Sequence, residues 1–520
     1  MDRLHNAVVT SAHPLASEAG ASILRMGGNA VDAAVATSLM LGVVEPAFSG
    51  IGGGGFALIH LASGETTALD YRETAPAKSS ADMFQRIAAD ANSVGPLAVA
   101  TPGTLSGHAL LLEQFGTMKF RDVARPAIVA AKSGVSVSSL SQRILKENRT
   151  GALDKLKRFT ESARVFGVDG RSARFSKLPL LSKTLSKLAK DGPEGFYGGT
   201  TSKEISTFVG SLGGILSEDD FGRYAPKVRR PVEGEARGFR IVSMPPPSAG
   251  GTLLIYGLEI LAELGNRARA STKAGMFRAV IDILRSMLDE KPSFGDPEFV
   301  DAATSQILSK SYVQKKAEEI WSGTNPTGGN RSSDGPGSTS HFCVIDSAGN
   351  VVSATETIEC YFGSGVTVPG LGVLLNDEMH DFDTVPGRPN SVAAGKRPVS
   401  SMSPTIVFKD GSPFLVIGGA GSERIISSIF QVTTNVLDGG MALGRALAAP
   451  RIHPTAGGLM VEGGFDETTV SELRGLVGDV QVMGNLELYF GGVQAVLIDQ
   501  DKRMATGGAD PRRFGAAVSA

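Results

Sequence analysis

At Thr339 the sequence changes character, and that change limits the folds open to the chain more than any other feature. Residues from roughly 104 to 212 read as one helix after another. Residues 322–338, SGTNPTGGNRSSDGPGS, have the composition of a flexible linker. From Thr339 onward short β segments take over: TSHFCVID, a turn at SAGN, VVSATETIE and SPTIVFKDGSPFLVIGG, followed by a helix, SERIISSIFQVTTNVLDGG. The fold must therefore begin a strand on a threonine directly behind a soft segment, about two-thirds of the way along 520 residues. Length alone suggests about three domains.

The first hundred residues add two helices and a glycine-rich pair of strands. SAHPLASEAGASILRMGGNAVDAAVATSLMLGVVEP splits at Gly27-Gly28, a helix end, with Asn29 placed to cap the second helix and Pro46 to end it. SGIGGGGFALIHLASGETTALDYRE alternates like two strands around a Ser-Gly turn. Gly50, Gly52 and Gly55 satisfy G-x-G-x-x-G, but a helix precedes them and a strand follows. That order inverts the dinucleotide-binding context and points to close backbone packing instead. Basic segments such as RILKENRTGALDKLKRF read as solvated helix faces. RIVSMPPPSAGGTLLIYGLEILAEL reads as strand, loop and helix.

Composition narrows the function. The net charge is −2, so no global basic field draws nucleic acid or an anionic membrane. The longest apolar run, Ala33–Val44, is too short to span a bilayer, and the N-terminus lacks the shape of a signal peptide. The chain as given is expected in the cytoplasm unless a leader was removed. The seven histidines form no metal-binding spacing, and no cofactor is implied. No G-x-S-x-G elbow occurs, though a dispersed serine-histidine-aspartate triad stays open. Asp346 opposite Val351 across the turn would set Thr339 opposite about residue 358, beside Thr357. The same register puts Cys343 near residue 354 and Cys360 roughly 20 Å further on, beyond disulfide reach, so the two cysteines do not report the redox compartment.

A threonine hydroxyl is a weak nucleophile that needs an adjacent base, and one solution makes it the first residue of a chain so that its own α-amine serves. That requires cutting the peptide bond before it, and residues 322–338 offer an accessible segment. By composition alone an ordinary linker ahead of a hairpin is the simpler reading.

TSHFCVIDSAGNVVSATET, LLNDEMHDF, KRPVSSMSPTIV and GGAGSERII resemble the small subunit of gamma-glutamyltranspeptidases. GGNAVDAAVA, GIGGGGF, DYRETAPA, PGTLSGH, DGPEGFYGG and SMPPPSAGG resemble the large subunit, in order and over nearly the whole chain. The resemblance implies an α+β fold, the four-layer αββα sandwich of N-terminal-nucleophile hydrolases. It implies autocleavage between Ser338 and Thr339 into subunits 1–338 and 339–520 that stay associated as one intertwined domain. Thr339 would be the nucleophile and Thr357 the second threonine that hydrogen-bonds it. Arg72 matches the arginine that grips the α-carboxylate of a gamma-glutamyl group, for which a guanidinium fork is suited; on its own it could equally be an ion pair with Asp70 or Glu73. Ser400 and Ser401 match the serines that support that carboxylate. Glu378 and Asp381 match groups that hold the α-ammonium, and Gly421 and Ser422 match the paired glycines whose amides form an oxyanion hole.

The match has departures. Glu359 stands where the family usually has asparagine, Ser422 replaces the second glycine, and His380 stands where an acid is common. The segment 383–395 is short for a lid, which implies an open cleft. The resemblance implies hydrolysis and transfer of gamma-glutamyl amides such as glutathione, with water, an amino acid or a peptide as acceptor. The departures leave room for a related acylase or amidase acting on cephalosporin side chains or small acids, and an uncleaved relative with a binding role stays open because the sequence does not show the cut.

Overall fold

The computed structural model describes residues 3–136, 139–169, 172–173, 176–270, 273–301, 303–324 and 337–520. Most of the linker expected before Thr339, residues 325–336, lies outside the described residues.

Two antiparallel sheets carry the core. The first runs, in spatial order, Ala516–Ser519, Val8–Ser11, Gly337–Ile345, Val351–Cys360, Gly54–His60, Thr66–Tyr71 and Lys227–Arg229. The second runs Met504–Ala509, Gly492–Asp499, Ser412–Ala420, Thr405–Lys409, Phe239–Ser243 and Val232–Ala236. Side chains alternate across a strand, so a strand buried at every position must be covered on both faces. The strand Gly337–Ile345 is buried from Ser338 to Ile345. Phe342 and Val344 join helices Pro14–Arg25, Ala30–Val44, Phe120–Ser133 and Pro179–Asp191 in one apolar cluster. Cys343 and Ile345 join the second sheet and the helices Gly250–Ala270 and Arg424–Leu437 in another. The layers are helix, sheet, sheet, helix, as the resemblance implied. Both sheets mix strands from before and after Thr339.

The local signals near the N-terminus hold. Asn29 and Asp32 cap Ala30–Val44 reciprocally, and the preceding helix stops at Arg25, just before Gly27 at φ +93°. The glycines before Gly54–His60 are packing glycines. A Cβ at Gly52 would lie 2.0 Å from the Leu374 carbonyl oxygen, and one at Gly53 would lie 2.0 Å from that of Thr357. The basic segment is solvated except at Lys155, which is buried with Nζ 2.6 Å from the Gly363 carbonyl and 3.3 Å from Asp377. No helix among the described residues is long and apolar enough to cross a membrane.

The hairpin register is one residue from expectation. Ile345, not Asp346, lies opposite Val351, and Cys343 lies opposite Ser353. The ladder then shifts between Glu356 and Glu359, so that Ser338 faces Glu359. Sequence alternation does not reveal such a bulge, because its extra residue sits in a stretch that is buried throughout.

Candidate active site

Four neighbouring strands of the first sheet bring their ends together: Thr339 on Gly337–Ile345, Thr357 on Val351–Cys360, Gly54 opposite Thr357, and Arg72 just past Thr66–Tyr71. The second sheet adds Ser400 and Ser401 ahead of Thr405–Lys409, and Gly421 and Ser422 after Ser412–Ala420. Between them lies a narrow cleft lined by Arg72, Thr339, Thr357, Glu359, Asp381 and Ser401 among others.

The bulge positions the hydroxyls. Thr339 Oγ1 donates to Thr357 Oγ1 at 3.5 Å. Thr357 Oγ1 donates to the Ser338 carbonyl at 2.6 Å and accepts from the Glu359 amide at 2.8 Å. Ser338 Oγ donates to the Glu359 carbonyl at 2.9 Å. The carbonyl of the Ser338–Thr339 peptide bond thus receives a hydroxyl proton, and the neighbouring Thr339 hydroxyl is oriented by that same threonine. We expect Thr357→Val, which keeps the shape and removes the hydroxyl, to slow formation of two polypeptides by about 10²-fold, the order that loss of one positioned donor costs. Time-resolved denaturing gels of freshly made protein check this.

Arg72 is fully buried, with a sheet strand on one side and two loops on the other. Its guanidinium pairs with Glu378 through Nη1 and with Asp381 through Nη2. Its Nε donates to the Pro398 carbonyl at 3.4 Å, and the Tyr224 hydroxyl donates to the Arg72 carbonyl at 2.9 Å. Asp70, a partner the sequence left open, meets Arg72 at its backbone amide, which donates to it at 2.9 Å, and pairs instead with Arg229 at 2.7 Å; Glu73 stands 3.8 Å from Nη1. Burial would lower the Arg72 pKa, but the facing carboxylates of Glu378 and Asp381 outweigh it and keep the group charged. Burial pushes the Glu73 and Glu378 carboxyls up, which lets a neutral carboxyl sit beside the guanidinium. Glu378, expected among the amine contacts, lies fully buried against Arg72 and does not line the cleft. Asp381 and Glu359 do line it. His380 Nδ1 stands 3.5 Å from Glu359 Oε1, and that contact raises the His380 pKa to about 9 against the effect of burial.

The remaining wall comes from loops. Ser400 and Ser401 are backed by the PPPSAGG turn. A Cβ at Gly250 would lie 2.3 Å from the Ser401 carbonyl oxygen, so that turn needs glycine for so close an approach. Gly421 has φ +134° and Ser422 φ +56°. Among the described residues neither amide finds an acceptor within the chain. Ser422 carries a side chain in a left-handed conformation that costs most residues about 1–2 kcal/mol. Ser422→Gly should therefore stabilise the protein by up to about 1 kcal/mol, once the looser unfolded chain is counted. Denaturant midpoints of the two proteins check this.

Three residues at the site carried no sequence signal. Lys291 lines the cleft with Nζ 3.0 Å from Glu423. Arg513, stacked 4.0 Å from the Phe48 ring centre, donates to the Thr339 carbonyl at 2.8 Å. Asn390 donates to the Asp381 carbonyl at 2.7 Å and accepts from the Val399 amide at 2.9 Å. It ties the short 383–395 segment to both flanks of Arg72. Each acts across more than a hundred residues or inside a loop, where periodicity says nothing.

A family model described as gamma-glutamyltranspeptidase matches residues 16–520. The chain belongs to that family. Gamma-glutamyltranspeptidases are enzymes, and the curated relatives agree. The glutathione hydrolase proenzyme of Bacillus subtilis is 35% identical over 541 residues, spanning 98% of this chain and 91% of the relative. An acylase ACY 1 proenzyme of Pseudomonas is 34% identical over 98% of this chain and 93% of the relative. Among solved structures, a cephalosporin acylase from Bacillus halodurans superposes with a TM-score of 0.87 at 26% identity, covering 99% of this chain and 96% of its own.

Proposed function

We propose that this gamma-glutamyltranspeptidase cleaves itself before Thr339 and then transfers or hydrolyses gamma-glutamyl groups, glutathione being a representative donor. The observation that carries this reading is the meeting of a hydroxyl nucleophile, a guanidinium and two carboxylates in one cleft, an arrangement complementary to an α-amino acid with an acyl arm.

In the uncut chain, Thr339 Oγ1 attacks the Ser338 carbonyl carbon, whose oxygen is already polarised by Thr357. The C–N bond breaks as an ester forms, the nitrogen takes a proton and becomes the Thr339 α-amine, and water then opens the ester. The proenzyme names of the relatives support this step. In the mature enzyme that α-amine takes the Thr339 hydroxyl proton as Oγ1 attacks the gamma-carbonyl of the donor. The Gly421 and Ser422 amides receive the developing oxyanion. The amine leaves with the proton, and water or an amine acceptor releases the gamma-glutamyl group from Thr339. Arg72 with Ser400 and Ser401 holds the donor carboxylate, and Asp381 and Glu359 hold its ammonium. Glu378 acts at one remove by fixing Arg72.

Turnover of a chromogenic gamma-glutamyl anilide, inhibited by amino-acid analogues, tests the reading. Glutamate should inhibit at least about tenfold more tightly than glutarate, since one desolvated charge pair lost costs upward of 1.4 kcal/mol. Equal inhibition, with turnover of a glutaryl or cephalosporin amide, would favour the acylase reading that the Bacillus halodurans neighbour supports. An uncleaved binding protein is not carried forward, because the family is one of enzymes.

A further inference from the structure

Glu359 and His380 depart from the family pattern, and the fold brings both against Cys360, a residue the catalytic reading does not use. Cys360 ends the strand Val351–Cys360, and His380 lies in the turn Glu378–Asp381 that crosses it. His380 Nδ1 is 3.5 Å from Glu359 Oε1 and 3.8 Å from Cys360 Sγ, and the three donor atoms lie within 4.8 Å of one another. A tetrahedral zinc ion, with bonds of about 2.0–2.1 Å to nitrogen and oxygen and about 2.3 Å to sulfur, sets N···O near about 3.3 Å and S···N near about 3.6 Å. The N···O and S···N separations need to close by only a few tenths of an ångström.

We propose that Glu359, Cys360 and His380 form a binding site for a soft divalent cation such as Zn²⁺, at the edge of the catalytic cleft. The donor set is one thiolate, one imidazole and one carboxylate, which favours zinc or cobalt over magnesium or calcium. Its two negative charges balance a dication. The surroundings are ordered: Asp377 accepts from the Cys360 amide at 2.9 Å and from Lys155 at 3.3 Å, and its carbonyl accepts from the His380 amide at 2.9 Å. Entry is open, since the His380 side chain is 35% exposed and Glu359 faces the cleft. A fourth position falls to water, leaving the ion accessible. Binding displaces the Cys360 and His380 protons. The sequence showed no such site because Glu359 and Cys360 are adjacent and His380 follows twenty residues on, a spacing that no metal motif uses.

The metal site does not depend on the gamma-glutamyl reading, but its effect on turnover does. A bound ion occupies the Glu359 carboxylate and should raise KM for a gamma-glutamyl donor. The test uses Co²⁺ titrated into the full processed protein and followed by absorption. One equivalent should give a thiolate-to-cobalt charge-transfer band that an equivalent of Zn²⁺ abolishes and excess Mg²⁺ does not. Cys360→Ser should remove the band, and Cys343→Ser should keep it. His380→Ala should weaken cobalt binding by more than about 10-fold, the loss that even an outer-shell partner can bring. No band at one equivalent, or a band that survives Cys360→Ser, would overturn the site. A band without a change in KM would leave the site standing and remove Glu359 from the amine contacts.

Discussion

Thr339→Ala should leave the chain at its full 54.0 kDa and abolish turnover of gamma-glutamyl anilides. Both losses have one cause. The hydroxyl that would open the Ser338–Thr339 bond is the one that would attack the donor, and without the cut the amine that serves as base stays locked in a peptide bond. Residual activity should fall by at least about 10⁴-fold, as loss of a nucleophile does where the oxyanion donors remain. The fold should survive, since Thr339 contributes a long 3.5 Å hydroxyl contact while its carbonyl stays bound to Arg513. Thr339→Ser is the informative companion. It keeps an attacking oxygen and should restore both the cut and a measurable rate. Full-length Thr339→Ala protein with unchanged turnover would move the nucleophile elsewhere.

Arg72→Lys should raise KM for a gamma-glutamyl donor by about 10²–10³-fold with a smaller effect on kcat. A lysine keeps the charge but cannot span two acceptors as the planar fork does. Two charge-assisted hydrogen bonds at about 1.5–2 kcal/mol each account for a change of that size. Arg72→Ala should in addition destabilise the fold, because Glu378 would then lie fully buried without its guanidinium partner. Steady-state kinetics with denaturant melts separates the two effects. An unchanged KM in Arg72→Lys would show that the donor carboxylate is held by another group, such as Lys291, which also lines the cleft.

The layered fold and the place of Thr339 were legible for local reasons. The unbroken apolar run Phe342–Ile345 in TSHFCVID needs cover on both faces of its strand, and the SAGN turn ties Thr339 to the region of Thr357 whatever the exact register. The one-residue difference arises at the turn, which takes in Asp346 as well as SAGN, and the bulge between Glu356 and Glu359 then restores the expected pairing beside Thr339. Arg72 was legible only through resemblance, and its true partners were not legible. Glu378 and Asp381 read alike in LLNDEMHDF, yet the turn sends one beneath the guanidinium and the other to the cleft. Arg513 and Lys291 reach the site from distant elements, so no local pattern announces them. Glu359, Cys360 and His380 lie close in sequence, but their spacing matches no metal-binding motif.

The central claim is that Thr339 becomes a chain terminus. Intact mass and N-terminal sequencing of the purified protein test it most directly. The account predicts two pieces of about 35 and 19 kDa, scaled by residue count, with the smaller beginning at Thr339 and its free amine. One stable species of 54.0 kDa after long incubation would contradict it, because the base the mechanism requires would never have been released.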